Sequence, residues 1–248
     1  MRLNKYISHN STYSRRDADE LIKSGRVKIG NKVITDLATQ VDENSQVYLN
    51  GRLLEEKEEY TVIVYHKPYR EIVSKKDPEG RKTIFDSLPQ KFKHFITVGR
   101  LDYNSEGLLL LTDSPKIATK LMESDIERVY NVKLNGAITA RVEDAMQNGL
   151  ILKDATKGAH PLTDEKSMEF APFSAYRITQ NTPVLSKMKI AITEGKNREI
   201  RRFFGHFNLD VTKLKRVSFG WVELNALPVG KTRYLQRDEY KKLREFMR

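Results

Sequence analysis

The chain has 248 residues, of which 39% are hydrophobic and 31% charged, with a formal net charge of +11 and a pI near 9.6. It contains no cysteine, which excludes disulfide frameworks, thiolate catalysis, iron–sulfur clusters and cysteine-ligated zinc. No window approaches the roughly 18 apolar residues of a membrane span, and the opening MRLNKYISHNS has no apolar signal segment. A soluble, cytoplasmic protein without membrane contact is expected. The length suits two domains, or one large and one small. The charge favours a polyanionic partner, most simply nucleic acid. It is concentrated in two places. Residues 1–32 hold eight Lys/Arg against three Asp/Glu, and residues 187–216 hold nine against three. Two basic segments far apart in sequence suggest two contact surfaces on one long ligand.

In chain order, LNKYIS begins a first short helix. Ser14 caps a second, with Asp17 placed to complete a capping box. Ala18, Leu21 and Ile22 give that helix its apolar face, and Gly25 ends it. VKIGNKVI and VYLNGRLL both read as hairpins, turning at Gly30-Asn31 and Asn50-Gly51. The acidic run EEKEE, residues 55–59, reads as a linker. A small N-terminal domain over residues 1–58 and a larger one over 60–248 are expected.

From Tyr60 the style changes. YTVIVYHK, ITVG, GLLLLT and VYNVKL read as strands. Ser114-Pro115 opens a helix to about Met122, and ARVEDAMQNG is a helix ended by Gly149. SAYRITQ and SKMKIAIT are strands, NREIRRFFGHF a helix, TKLKRVSFGWVEL further strands, and RDEYKKLREFMR a basic C-terminal helix. Strands outnumber helices without alternating strictly. An α+β fold with a mixed, mainly antiparallel sheet is therefore expected rather than a doubly wound one.

Several residues carry candidate chemistry. Arg15 and Arg16 lie at a helix start, where positive charge opposes the helix dipole. An external anion would account for them, with backbone N–H groups adding to phosphate binding. Arg2, Lys5, Arg26 and Lys28 join them as candidate RNA contacts. In VGRLDYNSEGLLLLTDS, residues 98–114, a lone acid, Asp102, sits before a polar loop and four consecutive leucines. On residue chemistry alone it is either a turn residue or a reactive group on a rigid support. His66, His94, His160 and His206 lack the close spacing of metal ligands, so no metal site is expected.

Residues 1–54, with their SRR helix start and GRVKIGNKV turn, resemble the small RNA-binding domain named after ribosomal protein S-four. VGRLD followed by SEGLLLLT resembles the signature of pseudouridine synthases, most closely the bacterial ribosomal RNA enzymes related to RsuA, RluB, RluE and RluF. YHKP (65–68), DPEGRKTIFDSLP (77–89) and EGKNREIRRFF (194–204) are similar to further segments of that family. The resemblance implies isomerisation of uridine to pseudouridine in ribosomal RNA, with large-subunit RNA favoured and a small-subunit target open. This chemistry changes no oxidation state and adds no group, so no cofactor is implied.

The resemblance makes Asp102 the catalytic carboxylate, Tyr130 the active-site aromatic and Arg201 the cationic partner of the acid. An ionised carboxylate in a partly closed pocket needs such a cation. Arg198 and Arg202 are expected on RNA, with Arg198 sharing a helix face with its neighbours, and Lys67 is a further RNA contact. Arg100, two residues before Asp102, is expected on the same face by strand alternation, where it could stabilise the place left by an extruded base. One departure stands out: the family has glycine two residues after the proline of YHKP, and this chain has Arg70. Partners are expected to be ribosomal RNA or a ribosome-assembly precursor, and the chain is expected to act as a monomer. A non-catalytic RNA-binding assembly factor is the rival from another class; it has no reason to require Asp102, Tyr130 and Arg201 together. A metal-dependent nuclease would need clustered acids and histidines.

Overall fold

The computed structural model describes residues 1–248 apart from Thr12, Glu43, residues 56–59 and Leu162. The expected EEKEE linker therefore falls almost wholly outside the described residues. Contacts divide the chain into two compact units. One comprises Met1–Thr61 with Thr112–Ile117, the other Val62–Leu111 with Ala118–Arg248.

The first unit starts with α1 (Leu3–Asn10) and α2 (Arg15–Lys23), followed by β1 (Val27–Ile29), β2 (Lys32–Ile34), β3 (Val47–Leu49) and β4 (Arg52–Leu53). The strands form an antiparallel sheet in the order β2-β1-β3-β4. Leu3 and Ile7 on α1, and Ala18, Leu21 and Ile22 on α2, bury the apolar faces that their spacing predicts. The capping box at α2 is complete: Asp17 N donates to Ser14 Oγ (3.2 Å) and Ser14 N to Asp17 Oδ2 (2.9 Å). Asn50 and Gly51 both have left-handed backbone (φ +52° and +80°), as a tight hairpin turn between twisted strands requires.

The second unit is α+β. It contains β5 (Val62–Lys67), α3 (Ile84–Ser87), β6 (Ile96–Thr97), β7 (Glu106–Thr112), α4 (Pro115–Met122), β8 (Arg128–Leu134) and α5 (Ala140–Asn148). Then follow β9 (Leu150–Leu152), β10 (Met168–Phe170), β11 (Ala175–Thr182), β12 (Leu185–Ile192), α6 (Glu199–His206), β13 (Val211–Phe219), β14 (Val222–Glu223), β15 (Thr232–Tyr234) and α7 (Arg237–Met247). The central sheet runs β11-β12-β8-β13-β7-β5-β15, with β14 beside β13 and β6 beside β7. β13 pairs parallel with β7, whereas β11 with β12, β12 with β8, β8 with β13 and β15 with β5 pair antiparallel, so the sheet is mixed. The leucines of β7 are buried on both faces of the sheet, which explains an unbroken apolar run instead of alternation. A core that includes Leu109, Tyr130, Ile190, Phe203 and Leu214 fills one side of this sheet.

Gly107 marks the tightest approach. It has φ +109°, and a Cβ there would lie 2.2 Å from the carbonyl oxygen of Arg216. Only glycine lets β7 and β13 come so close at the point where the Asp102 loop enters the sheet.

Candidate active site

A cleft of about 1160 Å³ opens within the second unit, and Arg100, Asp102, Tyr130, Arg198 and Arg201 all line it. Asp102 is partly exposed. Its Oδ2 lies 3.4 Å from Arg201 Nε and 3.6 Å from Arg198 Nη1. These are ion-pair distances rather than tight hydrogen bonds, and the pair of guanidinium groups supplies the positive charge that a working carboxylate needs. Arg201 is held by its other nitrogens: Nη1 donates to Val211 O (2.9 Å), and Nη2 to Asn104 O (2.5 Å) and Ser105 Oγ (3.2 Å). Burial pulls its pKa below the ordinary arginine value and Asp102 opposes that shift.

The loop carrying Asp102 is clamped at each successive carbonyl. Asp102 O accepts from Ser105 N (3.0 Å), and Tyr103 O from Arg70 N (2.8 Å). Asn104 O accepts from Arg201, and Ser105 O from Lys67 Nζ (2.8 Å). A loop with four consecutive carbonyls satisfied has little freedom, so Asp102 is presented from a rigid support. Arg70, at the position where glycine is usual, adopts φ +59°. The turn does demand left-handed backbone, and here an arginine accepts that strain so that its N–H can reach Tyr103.

Tyr130 projects from β8 into the cleft, 7% exposed, directly across the ladder from Ile190 on one side and Arg216 on the other. The same face carries Arg128, two residues earlier, whose Nη1 donates to the carbonyls of Thr193 and Glu194. Arg128 and Arg216 flank the ring of Phe219 at 5.1 and 5.5 Å. Across the cleft wall Glu199 is buried, and that burial, reinforced by the charge of Glu194, raises its pKa to about 7.

The RNA pseudouridylate synthase family model matches residues 61–206, and the S4 domain model matches residues 1–53. The chain belongs to the RNA pseudouridine synthase family. An uncharacterised RNA pseudouridine synthase of Helicobacter pylori is 50% identical over 249 aligned residues, covering 100% of this chain and 95% of the relative. The ribosomal large subunit pseudouridine synthase B of Bacillus subtilis is 34% identical, covering 98% of this chain and 95% of the relative. A crystal structure of a pseudouridylate synthase is similar at 25% identity with a TM-score of 0.66, covering 98% of this chain and 99% of that one.

The structure of this synthase corrects several readings of the sequence. Lys67 is not on an RNA surface: it is fully buried and donates to Pro68 O (2.9 Å) and Ser105 O. Burial lowers its pKa from 10.5 to about 8, against the opposing charges of Glu71, Asp102 and Glu106. Arg202 is also fully buried. Its Nε donates to Ala155 O (2.7 Å) and its Nη2 to Glu165 O (2.8 Å), so RNA cannot reach it without unpacking the core. Arg198 lies outside α6, at its N-cap with φ +50°, so helical spacing does not set its direction; its Nε bonds Gly158 O (2.7 Å). Residues 98–105 are not a strand, so alternation does not relate Arg100 to Asp102; both reach the cleft because the chain turns at Gly99, φ +71°. Arg100 is exposed.

The remaining candidate RNA contacts lie in the first unit. Arg2, Arg15, Arg16, Arg26 and Lys28 are exposed and Lys5 is half-buried, with Arg26 Nε bonded to Asn50 Oδ1 (2.7 Å). Sequence reasoning missed Arg128, Arg216 and Glu199. Strand alternation with Tyr130 was a sufficient signal for Arg128. Nothing local marks Arg216, whose place beside Tyr130 depends on which strand pairs with β8. Among the described residues, no three His, Asp or Glu side chains converge to hold a metal ion.

Proposed function

We propose that the chain isomerises a specific uridine to pseudouridine in ribosomal RNA of the large subunit, with Asp102 as the catalytic carboxylate. The observation that carries this reading is Asp102 on its clamped loop, facing Arg198 and Arg201 in the cleft. The similarity to a Bacillus subtilis enzyme named for the large ribosomal subunit supports the choice of RNA.

The target uridine must leave its stack, at a cost of a few kcal/mol. Arg100, exposed at the cleft, is the candidate to stabilise the vacated place, and Tyr130 offers an aromatic face for the extruded base. Asp102 then engages the nucleoside. The bond from N1 of uracil to C1′ of the ribose breaks, a bond from C5 to C1′ forms, C5 loses its proton and N1 gains one. Atoms and electrons balance without any cofactor or metal. Arg201 supports the charged acid, and Arg198, 3.6 Å from the acid and lining the same cleft, can also meet a phosphate. Arg2, Lys5, Arg15, Arg16, Arg26 and Lys28 of the first unit contribute phosphate contacts that add affinity rather than sequence reading. The enzyme works as a monomer in the cytoplasm, on ribosomal RNA or an assembly precursor.

The test is pseudouridine mapping of ribosomal RNA from a deletion strain complemented with wild type or Asp102→Asn. Loss of one site, or of a few neighbouring sites, in large-subunit RNA is expected in the deletion, with no restoration by the variant. Restoration by Asp102→Asn would remove the acid from the mechanism. A lost site in small-subunit RNA would overturn the choice of substrate.

A further inference from the structure

The side of the central sheet away from Tyr130 carries a second feature, formed by residues far apart in sequence. Arg177 on β11 is in register with Lys189 on β12, which opposes Asn131 on β8, which opposes Lys215 on β13. Two residues along, Gln180 opposes Lys187, Lys187 opposes Lys133, and Lys133 opposes Lys213. Directly opposed residues in a sheet share a face, and residues two apart on one strand share it too. Six cations therefore stand on one face of four adjacent strands. At about 4.8 Å between strands this face is roughly 14 Å wide. Arg177, Lys187, Lys189 and Lys213 are exposed, and Lys133 and Lys215 half-buried.

The arrangement is unfavourable in isolation. Lys133 has a like charge directly across on both sides, and such cross-strand pairs destabilise a sheet. None of the six forms an ion pair with a carboxylate among the described residues. The acids in register with this face are Glu106, beside Lys215, and Glu223, beside Ser218, both at its β13 border.

We infer that this outer face is a docking surface for the phosphate backbone of a double-helical RNA segment, separate from the cleft. The inference rests on the reading that the substrate is RNA and adds where and how a second part of it is held. The residues in the two rows include no aromatic side chain. Single strands are gripped by stacking bases on aromatics, whereas duplex RNA is held through shape and phosphate contacts. A broad face of lysines without aromatics suits the duplex. It also lacks the large apolar side chains with which a peripheral protein enters a membrane interface.

The test compares wild type with a fourfold variant, Lys133→Gln, Lys187→Gln, Lys189→Gln and Lys213→Gln, binding a fully paired 20-base-pair RNA without unpaired uridine. Each lost phosphate contact lowers the salt slope by roughly 0.7–0.9. The slope of log affinity against log salt is therefore expected to flatten by about three, with a loss of at least about tenfold in affinity at low salt. The matched fourfold Lys→Arg variant should keep the wild-type slope. It separates charge from folding, as does pseudouridine formation by the Gln variant on a short stem-loop carrying the target. An unchanged slope in a folded Gln variant overturns the inference, and so does a larger loss on phosphatidylserine vesicles than on the duplex. If wild type forms no pseudouridine but the slope still flattens, the catalytic reading fails and the docking face stands. Pseudouridine formation with an unchanged slope is the reverse result.

Discussion

The two faces of the central sheet use cationic side chains in opposite ways. On the cleft side, arginine is structural or semi-structural. Arg216 Nε donates to Leu108 O (2.7 Å), Arg128 to carbonyls of the 193–194 segment, and, on α6, Arg202 to Ala155 and Glu165. On the outer face, Lys133, Lys187, Lys189 and Lys213 have no such partners among the described residues, and Lys133 stands directly across from Lys187 and Lys213. Burial decides the difference. A buried guanidinium persists only when protein carbonyls and carboxylates replace its lost hydration, whereas an exposed cation keeps its water and stays available for a ligand. Charge density in the sequence is thus a poor guide to contact with RNA. Of the arginines in REIRR, Arg201 faces the acid and Arg202 is sealed in the core.

Breaking the inner side should cost most. Gly107→Val places a branched side chain against the Arg216 carbonyl, where even a Cβ would lie at 2.2 Å. Loss of the folded state, at more than about 4 kcal/mol, is expected in urea unfolding. Arg202→Ala removes the donor to the buried Ala155 carbonyl and to the partly buried Glu165 carbonyl and should cost about 3 kcal/mol, measured by the same method. It should leave the duplex salt slope unchanged wherever the protein is folded. An altered slope would return Arg202 to the RNA surface.

Lys67 sharpens the comparison through pH. Its folded pKa, about 8, lies below the ordinary 10.5, so the native protein releases this proton first. The unfolded chain then binds more protons between about pH 8 and 10.5, and stability should rise with pH across that window; below pH 8 the burial cost is present in full. Lys67→Met should abolish that rise in the urea midpoint, and should lower kcat by roughly tenfold as Ser105 loses its tether. Glu199 works in the opposite sense. Its pKa of about 7 lies above the ordinary 4.5, so the native state holds the proton longer and stability falls as pH rises from about 4.5 to 7. Glu199→Gln should flatten this decline. The smallest effect belongs to the outer face: Lys189→Gln alone should change stability by less than about 0.5 kcal/mol.

Much of the molecule was legible in the residues themselves, because the signals are local. The capping box at Ser14 and Asp17, the Asn50-Gly51 turn, the apolar run of β7 and the Ser114-Pro115 helix start all depend on a few adjacent residues. The family signature around Asp102, with REIRR nearly a hundred residues later, also pointed to an acid that needs a cation. What the tertiary structure alone decided depends on pairing between distant segments. It clamped the 102–105 loop with Arg70, Lys67 and Arg201, and it turned Lys67 and Arg202 inward. It also brought β11, β12, β8 and β13 side by side, so that isolated lysines became one charged face. The physical reason is common to all three. Charge, propensity and turn chemistry are properties of short stretches, but burial and cross-strand neighbours belong to the assembled sheet, and these determine whether a cation holds the fold or meets a ligand.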